Sequence, residues 1–223
     1  LGLSHRRPGT RWDGGIHRGS CENRDRSSMA SGEDAGISGF PSALRGLCRH
    51  GQTEVKALVR ELRAGDPDVI SRAFGTIGWN KPREQYEKYL DEQNLGLRKV
   101  WAAFEGEAFC GYVTLVPKPE HKYSPEGTIP EIQDFNVLPA FRKRGLGTQL
   151  MDLAESEAAK LSGYVGLGVG LHSGYGSAQR MYVKRGYIPD GRGLSHNDRI
   201  VAEGATVPND DGLELHFTKR LRQ

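Results

Sequence analysis

An apolar strand pattern ending at Val137 passes through Leu138, Pro139, Ala140 and Phe141 into Arg142-Lys143-Arg144-Gly145-Leu146-Gly147-Thr148, and from there directly into an amphipathic helix. Glycines at the turn let the backbone come close to a ligand. The first N–H groups of the helix have no partner within it, and the positive end of its dipole adds to them, so the turn is built to hold a diphosphate. Arg142, Lys143 and Arg144 reinforce that site with charge. The helix itself is well marked: Leu146, Leu150, Met151, Ala154, Ala158 and Leu161 recur at spacings of three and four, while Asp152, Glu155 and Glu157 fill another face. Neither Gly-x-x-x-x-Gly-Lys-Ser/Thr nor Gly-x-Gly-x-x-Gly is present, position 150 being Leu, which argues against an NTP P-loop and leaves the dinucleotide fingerprint incomplete. Taken alone, the loop is also compatible with a plain glycine turn into a surface helix.

With 223 residues of which 36% are hydrophobic, the chain can bury one sizeable α/β core and carry an appendage. The longest apolar run, Val165 to Leu171, is too short for a membrane span and is diluted by glycine. Cys21, Cys48 and Cys110 show no Cys-x-x-Cys or His/Cys ligand spacing, which indicates neither a disulfide framework nor a metal site and fits a reducing cytoplasm. The basic N-terminus lacks the apolar stretch of a secretory signal. Net charge is +3, but residues 1–50 hold eight Arg against five acids, which leaves 23 basic and 23 acidic residues from position 51 onward. A neutral folded part argues against a nucleic-acid partner.

Residues 1–50 are rich in Gly, Ser and Arg, lack periodicity and begin at Leu1, with Met29 a nearer start, so they read as a disordered or extraneous extension ahead of a domain over 51–223. A genuine basic tail for an acidic partner is the other reading. From Val55 to Leu62 the pattern admits strand or helix. Asp66 as N-cap and Pro67 at the first helical position predict a helix over about 67–78, and Pro82 opens a more polar one, with Tyr86, Tyr89, Leu90 and Gln93 on one side, that ends near Gly96. Residues 97–104 and 107–116 read as a hairpin, and 131–137 as the next strand. The run 164–171 places Gly166, Gly168 and Gly170 on one face, bare of side chains, against which either a neighbouring element packs tightly or something else lies close. A helix over about 177–185 closed by Gly186 and a final strand pair with Leu213, Leu215 and Phe217 complete one mixed α/β sheet.

Two motifs at a fixed separation, Val137-x-Pro139-x-Phe141-Arg142-x-x-Gly145-x-Gly147 and Ala178-Gln179-Arg180-Met181-Tyr182-Val183-Lys184-Arg185-Gly186-Tyr187, resemble the GNAT superfamily of acyl-CoA-dependent N-acetyltransferases over roughly residues 54–219. The resemblance implies the GNAT fold, a mixed central sheet with a splayed strand pair and flanking helices, and acetyl-CoA as cosubstrate. It assigns the pyrophosphate to Arg142, Lys143, Arg144, Gly145, Leu146, Gly147 and Thr148, and implies that Phe135 and Val137 offer backbone groups to pantetheine between the splayed strands 131–137 and 164–171. Tyr182 matches the Tyr that protonates the departing thiolate. Glu131, eleven residues before Arg142, matches the glutamate base of the histone acetyltransferase branch, and a main-chain N–H near Val137 the oxyanion donor. Where many members carry Asn, this chain has Tyr175. The segments around Ile129-Pro130-Glu131-Ile132 and Gly176 to Gly191 look like a bacterial subgroup of largely unassigned substrate.

Transfer needs a neutral amine, and an alkylammonium has a pKa of about 10, so a base or water chain must take its proton. Glu131 and Asp134 are both candidates. Period-2 alternation sends them to opposite faces, so only one of them faces the acceptor. His172 is a further candidate because imidazole titrates near neutrality. The resemblance implies direct transfer to a primary amine of a small molecule, with an aminoglycoside or polyamine as specific guesses. The acid-rich 191–211 connection suits such a cation, although a solvated loop is the other reading. A protein or peptide N-terminus, and a catalytically silent acyl-CoA-binding module, are the alternatives. Specificity is expected in the 67–96 helices, the 117–128 loop and the 191–211 connection. Many relatives pair as homodimers, while the residues leave the oligomeric state open.

Overall fold

The computed structural model describes residues 57–119 and 129–221, so the extension over 1–50, with Met29, Cys21 and Cys48, and most of the 117–128 loop lie outside the described residues. The chain runs β1 (Leu58–Glu61), α1 (Asp66–Gly75), α2 (Arg83–Asn94), β2 (Lys99–Glu105), β3 (Ala108–Val116), β4 (Glu131–Val137), α3 (Leu146–Ala159), β5 (Tyr164–Gly170), α4 (Gly176–Lys184), β6 (Ile188–His196), β7 (Arg199–Ile200) and β8 (Leu213–Arg220). The strands form one sheet in the order β1-β2-β3-β4-β5-β8-β6-β7. Every neighbouring pair is antiparallel except β4–β5.

Strand alternation divides the interior into two cores. On β2, Val100, Ala102 and Phe104 join Ile70 and Phe74 of α1 and Tyr86 and Tyr89 of α2. Trp101 and Ala103 point the other way, to a core built from Leu146, Leu150, Met151, Ala154 and Ala158 of α3, Val165, Leu167 and Val169 of β5, and Tyr182 of α4. Thus α1 and α2 cover one face of the sheet, and α3 and α4 the other. The α1/α2 core is aromatic: Phe74 stacks on Tyr86 and meets Phe109 and Tyr112 edge-on.

The ambiguous 55–62 segment contains a strand, β1, paired to β2. Three expectations are corrected. Asp66 does not cap α1, because its carboxylate turns back to the Arg60 guanidinium at 2.6 and 2.8 Å and to the Arg63 N–H, leaving Gly65 at the cap. Glu155 is buried, since Arg185 and Lys219 reach over α3 to it at 2.8 and 2.6 Å, whereas Leu161 falls beyond the helix end and is exposed. The segment from Gly191 is not simply a connection. β6 pairs with β8 at Ile188 and Pro189 and again from Leu194 to His196, and the break between holds Gly191 and Gly193 at φ of 83° and 84°. Those glycines break the alternation by which a strand is recognised in sequence.

Candidate active site

β4 and β5 are partners only at Glu131–Gly166 and Ile132–Leu167; past these they separate, and the sheet opens. The N–H of Leu138 donates to the Cys110 carbonyl across β3 at 2.9 Å, so by antiparallel alternation the N–H and C=O of Val137 point away from β3 and into the opening. The Val137 carbonyl accepts Nε of Arg142 there at 2.9 Å. The 142–148 loop lies just beyond. Lys143 and Gly145 hold φ of 60° and 82°, Gly145 is the cap of α3, and no side chain bonds the uncapped N–H groups. Gly147 is tight for a different reason: a Cβ there would sit 3.3 Å from Phe135 Cζ, so its absence lets α3 settle on β4. Of the three loop cations, Arg144 pairs with Glu105 at 2.6 Å, Arg142 holds Val137 and lies over the Trp79 ring at 5.6 Å, and Lys143 makes no ion pair among the described residues. Beside this loop, Thr148 of α3, Ser177, Arg180, Met181 and Lys184 of α4 and Arg185 just past its end line a cleft of about 370 Å³. Uncapped amides, glycine-allowed close approach and a cationic cleft fit a diphosphate with a further phosphate.

The expected opposition of Glu131 and Asp134 is overturned. Thr114 pairs with Gln133 while Tyr112, two residues back, pairs with Asn136, three residues on, so β4 carries an extra residue in a bulge. Asp134 occupies it at φ 42°. Ile132, Phe135 and Val137 face the α3/α4 core, and Asp134 joins Glu131 and Gln133 on the α1/α2 face. There it accepts from Lys81 at 3.2 Å, Gln85 at 2.6 Å, Tyr89 at 2.8 Å and Asn136 at 3.1 Å, which ties α2 to β4. Glu131 is 5% exposed and accepts from Gln133 at 2.7 Å. Gln133 in turn accepts from Arg98, which also donates to Thr114 and lies over the Tyr89 ring.

At the far end of β5, the bare glycine face is covered by the chain itself. A Cβ on Gly170 would strike the Tyr175 ring at 2.4 Å, and one on Gly168 would meet the Glu214 carboxylate at 3.1 to 3.3 Å. Tyr175 donates to Asp211 at 3.0 Å. His172 accepts the Gly174 N–H on Nδ1, which places its proton on Nε2, 2.8 Å from Asp211. With both ring nitrogens occupied, His172 holds the loop and has no lone pair for an acceptor. Burial first, then the charges of Glu131, Asp198 and Asp211, push Glu214 up to about 7. Tyr182 lies in the α3/α4 core with its ring edge-on to Tyr187 at 5.8 Å, and burial and then the Glu214 charge raise its phenol well above the usual range.

Of the expected residues, Glu131, Phe135 and Val137 thus lie on β4 where it parts from β5 and the 142–148 loop follows directly, while Tyr182 lies in the α3/α4 core and Asp134 is tied to α2 on the other face. Arg98 and Glu214 carry no mark of their own in the sequence, Tyr175 only its departure from the family's Asn, and Asp211 only its place in the acid-rich 191–211 connection. The bare glycine face of β5 is the sequence feature that Tyr175 and Glu214 cover. Among the described residues, no three His, Cys, Asp or Glu gather to hold a metal, and no helix is long and apolar enough to cross a membrane.

A model of the acetyltransferase (GNAT) family matches residues 67–187, more than half of the chain. No curated protein matches by sequence. Among solved structures, an N-acetyltransferase from Staphylococcus aureus Mu50 aligns with a TM-score of 0.55 at 14% identity, covering 74% of this chain and 99% of that one. The protein yncA from Salmonella typhimurium, solved with its cofactor acetyl-CoA, aligns at 0.54 and 14% identity over 75% and 95%. A spermidine N-acetyltransferase SpeG chimera from Vibrio cholerae and hSSAT aligns at 0.53 and 13% identity over 74% and 95%.

Proposed function

The chain belongs to the GNAT acetyltransferase family, whose cosubstrate is acetyl-CoA, and we propose that it transfers the acetyl group directly to a primary amine of a small molecule. The observation that carries this reading is the opening between β4 and β5, with the Tyr182 phenol on one face of the sheet and the Glu131 and Glu214 carboxylates on the other. Bound there, acetyl-CoA supplies an activated acyl group as a thioester.

The residues divide the work by face. N–H groups at the start of α3, with Arg142, Lys143 and Arg144, hold the diphosphate; Arg180 and Lys184 hold the remaining phosphate. Phe135 and Val137 present main-chain groups along the open edge of β4, and the Val137 N–H is the donor to the thioester oxygen. Tyr182 keeps its proton through neutral pH because burial and the Glu214 carboxylate both oppose its ionisation, which suits a donor to the leaving sulfur. On the α1/α2 face, Glu131 and Asp134, with Asp211 and Glu214, give an anionic surround that favours a cationic acceptor such as a polyamine or aminoglycoside. The spermidine enzyme among the structural neighbours is compatible with that class. Asp134, with four hydrogen bonds already accepted, shapes this surround through α2.

Thiol release from acetyl-CoA with spermidine, kanamycin A, lysine and an alanyl tripeptide tests the reading. Release with spermidine or kanamycin A alone is the expected result. Release with the peptide alone would move the acceptor to protein N-termini, and binding of CoA without release would make the protein a silent acyl-CoA sensor.

A further inference from the structure

We propose that Glu214, on β8, is the general base that takes the proton from the acceptor ammonium, an assignment that rests on the transferase reading above. Leu215 and Phe217 of β8 turn toward the α3/α4 core, so by alternation Glu214 emerges on the α1/α2 face, with Glu131 and Asp134. It pairs in register with Gly170, and its oxygens lie over Gly168, on the β5 side of the opening. A side chain at 168 would crowd its carboxylate, whose nearest oxygen would lie 3.1 Å from the added Cβ.

The competing groups are engaged. Asp134 accepts four hydrogen bonds; His172 has both nitrogens used; Asp211 accepts from His172 and Tyr175; Glu131 is nearly inaccessible and accepts from Gln133. Among the described residues Glu214 alone of these carboxylates accepts no hydrogen bond and makes no ion pair. The groups whose charge reaches it are Glu131 from β4, Asp198 from the β6–β7 turn and Asp211 ahead of β8, and it in turn acts on Tyr182 of α4 and Tyr175. All are acids or phenols. They and its burial raise it to about 7, a value at which a carboxylate can both accept a proton from an ammonium and return it to water at neutral pH.

The acceptor ammonium gives one proton to Glu214. Its nitrogen lone pair then forms the bond to the acetyl carbonyl carbon, and the carbon–sulfur bond breaks with its electron pair on sulfur. Sulfur takes the Tyr182 phenol proton. The phenolate is reprotonated from the nitrogen, which keeps one hydrogen in the amide, and Glu214 returns its proton to water, so each turnover releases one proton.

The test measures thiol release with the same four acceptors on wild type, Glu214→Gln, Glu214→Asp and Glu131→Gln from about pH 5.5 to about 9.5, alongside CoA binding by calorimetry. Glu214→Gln should lose about 100-fold or more in kcat/KM near neutrality. It should regain about tenfold per pH unit as the amine deprotonates by itself, lose the acidic limb near pH 7, and bind CoA as wild type does. Glu214→Asp should recover part of the rate, which separates loss of the base from loss of the fold. A Glu214→Gln rate within about threefold of wild type with the acidic limb intact, or the same loss appearing in Glu131→Gln instead, overturns the assignment. If no acceptor gives release while CoA binds, the transferase reading itself falls and takes the assignment with it.

Discussion

Tyr182 lies in the α3/α4 core and Glu214 on the other face of the sheet, and the Glu214 charge adds to burial in holding the Tyr182 phenol up. On the function proposed above, Tyr182→Phe removes the proton donor while keeping the ring that packs on Tyr187, so kcat should fall about 100-fold with acetyl-CoA affinity unchanged, a split that steady-state kinetics and calorimetry together resolve. Glu214 also leaves a mark on stability. Its carboxyl is raised in the folded state, so between the ordinary glutamate range and about pH 7 the native protein holds a proton that the unfolded chain has lost. Stability from this group is therefore fully present below about pH 4 and is lost as pH rises to about 7, on the order of 3 kcal/mol in all. Glu214→Gln, which stays neutral, should accordingly melt higher than wild type at pH 8 and level with it at pH 4. The two residues were not equally legible. Tyr182 sits in a motif whose neighbours identify it, whereas Glu214 is one carboxylate in an alternating strand, and its chemistry comes from what packs around it.

At the level of elements, the strand most relevant to the site is the one whose alternation failed. β4 was placed correctly by its residues, but period two cannot see an inserted residue, and the bulge at Asp134 brings onto one face two carboxylates that alternation separates. Asp at that position fits its use, since a φ of 42° is tolerated better by Asp than by most side chains. Its carboxylate, together with the nearly buried Lys81 ammonium 3.2 Å away, fastens α2 to the sheet. Asp134→Ala should cost about 3–5 kcal/mol of unfolding free energy in urea, because it strips Lys81 of that counter-charge and leaves Gln85 and Tyr89 short of an acceptor. Helices were read more reliably than β6, because a 3.6-residue stripe survives local irregularity while a strand interrupted by Gly191 and Gly193 loses its pattern.

Across the whole molecule, Arg142, Lys143, Arg144, Arg180 and Lys184 gather around the start of α3, while Glu131, Asp134 and Glu214 lie on the α1/α2 face of the sheet. On the function proposed above, a polyanionic donor and a cationic acceptor meet these two regions separately. Replacing Arg180 and Lys184 together by Glu should weaken CoA at least tenfold and leave dephospho-CoA nearly unaffected, as paired calorimetric titrations would show; about 1.4 kcal/mol corresponds to that factor. Gly145→Asp should abolish the rise in melting temperature that acetyl-CoA produces by mass action. The sheet itself is two four-stranded leaves joined by a seam of two residue pairs and the Gly166 N–H to Pro130 C=O bond. Such a seam is a mechanical weak line: pulled apart or warmed, the leaves should part there before either melts. A ligand lying along β4 would act as a rivet across it, so loading with acetyl-CoA should slow amide hydrogen exchange at 133–137 and 168–170 together and make the two leaves unfold as one.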